Sequence, residues 1–243
     1  MEARGRKRFA RRALVLAALA CLLLLIVPMG LAQEAPASPA SATLTIGKTT
    51  TPAGGQGFWI TAAGYQTSWG RRGTANGQFR QPRDIDVDSA GNYYISDHRN
   101  SRITKLNAGG QFMAQIGGRG RGNGQLLRQN QIAVHDGLLY VTDTDNHRIM
   151  VFNLNGGYVR KWGSIGSGDG QFNYPNGIAV DASGNVFVAD TWNHRIQVFD
   201  ANGNYLRQRG TRGSGNGQFR FPAQRCFGPD GNLYAADSNN NRI

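Results

Sequence analysis

Short runs of β-branched and aromatic residues alternate with polar turns along most of this chain. The most regular unit begins at Gly170 and contains four such runs, at residues 177–181, 186–190, 195–199 and 204–208. The turns between them hold Ala-Ser-Gly-Asn and Ala-Asn-Gly-Asn, in which Gly and Asn favour the positive φ that hairpin turns need. Each unit is therefore predicted to form a four-stranded antiparallel sheet.

Two landmarks show that the whole unit repeats. The motif Asp-x-x-Asn-x-Arg-Ile begins at Asp97, Asp143, Asp190 and Asp237. Gly-Gln-Phe or Gly-Gln-Leu begins at Gly77, Gly124, Gly170 and Gly217. A period of about 40–50 residues with four strands per unit is typical of a β-propeller, in which neighbouring sheets bury one another's faces. Parallel strands joined by helices are excluded, because no helical run separates the strands.

Residues 175–199 carry a resemblance to a known family. They read Pro-Asn-Gly-Ile-Ala-Val-Asp, then Gly-Asn-Val-Phe-Val-Ala-Asp-Thr-Trp-Asn-His-Arg-Ile-Gln-Val-Phe, which resembles the NHL repeat. The resemblance extends from about Gly70 to the end and implies an all-β propeller. Gluconolactonase-like and low-density-lipoprotein-receptor-like repeats are the alternatives for the repeat name, not for the fold.

The number of blades is open. The resemblance implies a six-bladed ring, of which about four blades would be present, and Ile243 falls at the third strand of the fourth unit. We therefore expect a fragment truncated at its C-terminus. In the alternative, a four-bladed ring is closed by residues 58–60 and 65–69 acting as the third and fourth strands of the last blade.

The N-terminus indicates export. Residues 1–32 combine basic residues, an apolar run at 13–27 and small residues before Gln33, the order found in a secretory signal peptide. In the competing interpretation, residues 13–32 remain as a membrane anchor. Residues 33–57 are predicted to be a flexible Ala/Pro/Ser/Thr/Gly linker, and 58–243 the propeller. Either way, an extracytoplasmic location is expected.

The mature part is basic. The chain has 27 Lys and Arg and 15 Asp and Glu; subtracting six basic and one acidic residue in 1–32 leaves 21 and 14, a net charge of +7. Alternating strand directions would bring the Arg-bearing segments to one face. The predicted partner-binding residues are Arg71, Arg72, Arg83, Arg99, Arg119, Arg121, Arg128, Trp192, Arg212 and Arg220. A face of one sign attracts an anionic protein, glycan or lipid surface; export argues against nucleic acid, which some relatives of the repeat bind.

The recurring polar residues are predicted to be structural, because a group present in every blade cannot alone form an asymmetric catalytic site. Asp190 and Arg195 would pair across their hairpin, with Asn193 in the left-handed position of the turn. No catalytic residue, metal ligand or cofactor is predicted. Cys226, the one cysteine outside the signal segment, is expected to be buried.

Unequal polar residues follow the start of each inner strand and are predicted to surround the mouth of the central channel. They are Arg83, Asp84, Asn130, Gln131, Asn176, Gln224 and Arg225. The leading hypothesis is a non-catalytic binding or sensing module that uses the basic face and this mouth. The alternative is a metal-assisted propeller lyase or hydrolase acting at the same mouth.

Overall fold

The structure is a computed structural model. It describes residues 45–48, 58–61, 68–228 and 230–243, and for 45–48, 58–61 and 224–226 it describes the backbone only. The predicted signal segment lies outside this part of the chain. Among the described residues, no helix has the length and apolar character needed to cross a membrane.

A two-stranded hairpin lies within a separate compact unit, residues 28–71. Strand β1 (Thr45–Lys48) pairs antiparallel with β2 (Phe58–Thr61). Strand β1 lies inside the predicted linker, and the assignment of residues 58–60 to the third strand of a closing blade stays a prediction. Residues 65–67 of the other proposed closing strand lie outside the described residues.

Residues 72–243 form the second compact unit, which contains three complete four-stranded antiparallel blades and half of a fourth. The first blade contains β3 (Pro82–Val87), β4 (Tyr93–Asp97), β5 (Arg102–Leu106) and β6 (Phe112–Ile116). The second contains β7 (Ile132–His135), β8 (Leu138–Asp143), β9 (Arg148–Asn153) and β10 (Tyr158–Trp162). The third contains β11 (Pro175–Val180), β12 (Val186–Asp190), β13 (Arg195–Phe199) and β14 (Tyr205–Arg209), and the fourth β15 (Pro222–Phe227) and β16 (Leu233–Asp237).

The predicted β-propeller fold is confirmed, and the strands agree closely with the sequence pattern. In the third blade, each observed strand begins and ends within two residues of its prediction. In the second blade, Asp136 and Gly137 form the expected two-residue turn, with φ of 44° and 75°. Positive φ at both positions matches the twist of the flanking strands, which is why Asp-Gly favours this hairpin.

The hydrophobic core lies between the blades. One buried cluster joins the first and second blades through Tyr94, Leu139 and Phe152, and another joins the second and third through Tyr140 and Phe199. Leu126 and Phe172, the third residues of the second and third Gly-Gln-Phe or Gly-Gln-Leu motifs, belong to these clusters. Phe172, for example, is fully buried with its ring 5.5 Å from that of Phe199. Successive sheets therefore bury one another's faces, as the repeat period predicts.

Alternating strand directions produce two rims. The connecting-loop rim has two components. The first is the segments that lead into the blades, at 72–81, 117–131, 163–174 and 210–221, and the second is the short 3-10 turns between second and third strands. These turns are His98–Asn100, Thr144–Asn146, Thr191–Asn193 and Ser238–Asn240. The hairpin rim consists of the remaining turns. Backbone hydrogen bonds, such as Trp192 N–H to the Asn173 carbonyl at 3.1 Å, join the two components of the connecting-loop rim.

Candidate binding surface

The repeated Asp and Arg fasten the connecting-loop rim. In the third blade, Asp190 Oδ2 accepts hydrogen bonds from Arg195 Nε at 2.7 Å and from Asn193 Nδ2 at 2.9 Å. The Arg195 guanidinium also donates to the carbonyls of Gly168 and Gln171 in the connecting segment. The other blades repeat the ion pair, as Asp97–Arg102, Asp143–Arg148 and Asp237–Arg242. The predicted structural pairing is confirmed, and the same arginine also holds the incoming loop in place.

The prediction for the left-handed position of this turn was wrong by one residue. His194, with φ of 56°, takes that position, while Asn193 ends the 3-10 turn and uses its amide to bind Asp190. His147 takes the same conformation in the second blade. Each histidine accepts a hydrogen bond at Nδ1 from the backbone of the next connecting segment, His147 from Tyr174 N–H and His194 from Phe221 N–H, both at 3.1 Å. These histidines therefore join neighbouring blades.

Exposed arginines lie on the connecting-loop rim. Those in the connecting segments are Arg72, Arg80, Arg119, Arg121, Arg128, Arg212 and Arg220, and Arg99 lies in the first 3-10 turn. Arg83 is exposed near the start of β3, whereas Arg71 belongs to the other unit, so its position relative to the blades is not described. The turns of the hairpin rim contain no Arg or Lys and several Asp.

Two of these arginines have polar partners on the same rim. Arg128 lies 3.6 Å from Asp145 in an exposed ion pair, and Arg99 Nε donates to Gln81 Oε1 at 2.7 Å. Exposed pairs of this kind contribute little to stability because water screens them. Their side chains can therefore exchange these partners for an anionic group at small cost.

A row of aromatic rings lies on the same rim, and Trp192 is the one member that was among the predicted binding residues. This aromatic row contains His147, Tyr174, Trp192, Phe221 and His194, with successive ring centroids 4.6, 5.6, 5.6 and 4.6 Å apart. Trp192 is 55% exposed and Tyr174 39%. One signal was present in the sequence. The position just before the proline that begins an inner strand, or before the residue that replaces this proline, is polar in two repeats and aromatic in the other two.

The residues predicted at the channel mouth make different kinds of contact in the structure. Asp84 Oδ2 accepts a hydrogen bond from Ile132 N–H at 2.9 Å, and Gln131 Oε1 accepts one from Ile178 N–H at 3.3 Å. These two side chains join the inner strands of successive blades. Asn130 donates to the Thr144 hydroxyl at 3.0 Å.

Two further predicted mouth positions, Gln224 and Arg225, have side chains outside the described part of the structure. Asn176 is half-buried in β11, and its backbone carbonyl accepts a hydrogen bond from the Thr142 hydroxyl at 2.8 Å. Two of the predicted mouth residues, Asp84 and Gln131, thus connect the blades.

Asp84 and its neighbour Asp86 have unusual acidities. Burial raises the pKa of Asp84 to about 7, against the opposing hydrogen bond from Ile132 and with a further contribution from Asp86. Burial also raises the pKa of Asp86 to about 6, although Val134 N–H donates to it at 2.7 Å. Both carboxyl groups lie where β3 meets the second blade, so their ionisation acts on a blade interface.

The described residues contain no group of three or more His, Cys, Asp or Glu arranged to hold a metal ion. His98 Nδ1 lies 3.0 Å from the Gln129 carbonyl, so this histidine also uses Nδ1 in a contact with the backbone. Burial lowers the pKa of His98, His147 and His194 below the usual histidine value.

Comparison with known families agrees with the repeat geometry. The model of the NHL repeat matches residues 79–106, 131–152 and 172–199, one match in each complete blade. These blades are NHL repeats. In the NHL repeats of this chain, the matched segments include the buried Asp–Arg pair and the strands on either side of it.

Relatives and solved structures support the same fold. The protein brain tumor of Drosophila melanogaster is 33% identical over 70 residues, which are 29% of this chain and 7% of that protein. A streptogramin B lyase structure has a TM-score of 0.53 and 19% identity over 67% of this chain and 51% of its own. An auxiliary nutrient binding protein from Bacteroides thetaiotaomicron has a TM-score of 0.54 and 13% identity over 69% and 47%. The NHL-repeat chain thus spans about half the length of these structures, and the likeness concerns the fold.

Proposed function

We propose that this NHL-repeat chain is an exported, non-catalytic binding module that presents the arginines of its connecting-loop rim to an anionic partner. The observation that carries the proposal is the distribution of charge in the loops. Arginines occur in three of the four described connecting segments, while the turns of the hairpin rim contain none. Repeated exposed guanidinium groups on one side of a rigid scaffold attract and orient an anionic surface.

The rigidity of the loops supports a binding role. In the first, second and fourth blades, the Asp and Arg of the motif bind a connecting segment that carries exposed arginines. Arg148, for example, donates to the backbone carbonyls of Arg121 and Gln125 at 2.7 and 2.8 Å. A loop held in this way loses little conformational freedom when a partner binds, which favours affinity.

A lyase or hydrolase at the channel mouth is the alternative that the sequence left open. Among the described histidines, His98, His147 and His194 each use Nδ1 to contact a backbone group of a neighbouring segment. Their positions are explained by these contacts. Fold likeness to a streptogramin B lyase at 19% identity carries no activity to this chain. The binding module is therefore the function that the geometry supports best.

The test uses the double variant Arg119→Glu/Arg121→Glu, because both side chains are exposed on the rim. Dextran sulfate serves as the polyanionic probe, and its Kd is measured by calorimetry over a series of salt concentrations. We expect at least about tenfold weaker binding and a shallower salt dependence, since fewer cations contact the probe.

The matched control is Lys161→Glu/Arg207→Glu, which changes the net charge equally on exposed positions of the outer strands β10 and β14. Far-ultraviolet circular dichroism and urea unfolding check that both variants fold. Equal loss of affinity in the two variants would mean that net charge, and not the rim, attracts the polyanion. Unchanged affinity in the rim variant would remove the proposal.

A further inference from the structure

The aromatic row exposes more apolar surface than the fold requires. Trp192 and Tyr174 are 55% and 39% exposed, although their ring centroids lie only 5.6 Å apart and Phe221 lies at the same distance on the other side of Trp192. Exposed apolar groups scattered singly are ordinary on protein surfaces, but a contiguous patch with polar surroundings marks a site of interaction. Aromatic residues are also the type most enriched at such sites.

Two residues of the aromatic row have a backbone conformation that does not favour aromatic side chains. Tyr174 and Phe221 have φ of 49° and 55°, and the first blade places Gln81 in the same conformation with φ of 58°. Bulky aromatic residues are unfavourable in the left-handed region, where Gly or Asn fits at lower cost. The turn therefore explains the backbone conformation, whereas nothing in the turn explains the choice of tyrosine and phenylalanine.

The charges near the two ends of the aromatic row differ. The connecting segment 163–174 contains no Arg or Lys and supplies Tyr174, while the segments on either side carry Arg119 and Arg121, and Arg212 and Arg220. After burial, Arg212 and Arg220 are the groups that lower the pKa of His194, at one end of the row. At the other end, burial lowers the pKa of His147, and Asp145 and Asp190 raise it more strongly than Arg121 lowers it. The apolar centre therefore has a cationic end beside His194 and an end of mixed charge beside His147.

We propose that the aromatic row is a subsite for an acidic polysaccharide. A sugar ring would pack its apolar C–H face on Trp192, between Tyr174 and Phe221, and carboxylate or sulfate groups of neighbouring sugars would reach the flanking arginines. Guanidinium groups bind such anions through paired hydrogen bonds. This inference rests on the proposed function, because it specifies the anionic partner of the same rim.

The geometry favours a polysaccharide over single-stranded nucleic acid. Nucleic acid is bound by series of ring faces on which successive bases stack. Here the planes of Tyr174 and Trp192 meet at 46° and those of Trp192 and Phe221 at 84°, so the rings do not form a series of parallel faces. Such a surface accepts C–H groups more readily than a stack of flat bases. The export predicted from residues 1–32 also brings the chain into contact with extracellular glycans.

The experiment measures the affinity of the full chain for polygalacturonate and dextran sulfate, with neutral dextran and polyuridylate as comparison polymers. Trp192→Ala removes the central ring. Tyr174→Asn/Phe221→Asn removes the outer rings with a residue that tolerates the left-handed backbone. Tyr158→Asn removes an equally exposed tyrosine from the outer strand β10, away from the row. We expect at least about tenfold loss of affinity in the first two variants and no change in the third.

The outcomes separate this inference from the proposed function. If an acidic polysaccharide binds and Arg119→Glu/Arg121→Glu weakens it, but Trp192→Ala does not, the subsite is refuted and the basic rim is retained. If polyuridylate binds and neither acidic polysaccharide does, nucleic acid replaces the glycan and the inference is overturned. If neutral dextran binds as tightly as dextran sulfate, the role of charge fails. Binding of none of these polymers overturns both proposals.

Discussion

The carboxyl group of Asp84 should make the interface between the first two blades sensitive to pH. Asp84 Oδ2 accepts a hydrogen bond from Ile132 N–H at 2.9 Å, and Asp86, two residues along β3, accepts one from Val134 N–H at 2.7 Å. Burial raises the pKa of Asp84 to about 7 from an ordinary value of 3.8, against the hydrogen bond from Ile132. The substitution Asp84→Asn keeps an oxygen acceptor for Ile132 and removes the charge.

The sign follows from proton binding. Between pH 3.8 and about 7 the folded state binds more protons at Asp84 than the unfolded state, so the free energy of unfolding falls as pH rises through this window. Ionisation of Asp84 thus destabilises the fold by at most about 4 kcal/mol above the window. We expect Asp84→Asn to gain free energy of unfolding over the wild type, and this gain should be about 1–3 kcal/mol larger at about pH 8 than at about pH 5. The lower end of the range allows for solvent near the carboxyl group.

Urea unfolding at the two pH values measures this difference, and Asp88→Asn is the matched control with the opposite sign. Partial burial raises the pKa of Asp88, but hydrogen bonds from Asn92, Tyr94 and Ala90 together lower it below its ordinary value. Asp88→Asn should therefore lose stability near neutral pH and approach the wild type in acid. The reasoning about Asp84 is refuted if its variant gains the same stability at both pH values, or gains more in acid.

Two further predictions concern the scaffold of the connecting-loop rim, and urea unfolding measures both. Arg148→Met should lower the free energy of unfolding by about 3–5 kcal/mol, because it leaves the buried carboxylate of Asp143 without its cation. The control Arg207→Met, on an exposed strand, should change stability little. Similar losses in both variants would contradict a special role of the buried pair. Gly163→Ala should lower the free energy of unfolding by about 2 kcal/mol or more, because φ is +99° and the new Cβ would lie 2.5 Å from a buried phenylalanine ring. Gly170→Ala, where φ is +73° and the space is open, should cost only about 1–2 kcal/mol. Equal costs would show that the structure moves to relieve the contact between the Cβ and the ring.

The strands were predictable because their signals are local and repeated. Four units in phase determine which runs pair, and turn residues such as Asp136 and Gly137 fix a hairpin through their own φ preferences. The pairing of Asp190 with Arg195 was accessible for the same reason, since both residues flank one hairpin. The hydrogen bonds from Arg195 to the connecting segment were not, because they depend on how that segment folds back over the blade.

The missed features depend on contacts between blades. Asn193 has the intrinsic preference for a left-handed position, yet its amide is used by Asp190 and by the Gly166 carbonyl, and the left-handed conformation falls on His194 instead. Tyr174 and Trp192 are adjacent on the rim although they lie 18 positions apart in the chain. A sequence pattern gives the order of strands but not the lateral distance between loops.

Some positions of the repeat are the same in every blade and serve the structure, whereas others vary and can serve recognition. The Asp–Arg pair of the motif recurs in each described blade, and the residue before each inner-strand proline or its equivalent adopts the same left-handed backbone. The side chains at that residue nevertheless differ, as Gln81, Arg128, Tyr174 and Phe221. A position whose conformation is fixed and whose chemistry varies is one where substitution changes the surface and spares the fold. Specificity in this chain should therefore be sought at these four residues and their neighbours, before the motif residues that recur in every blade.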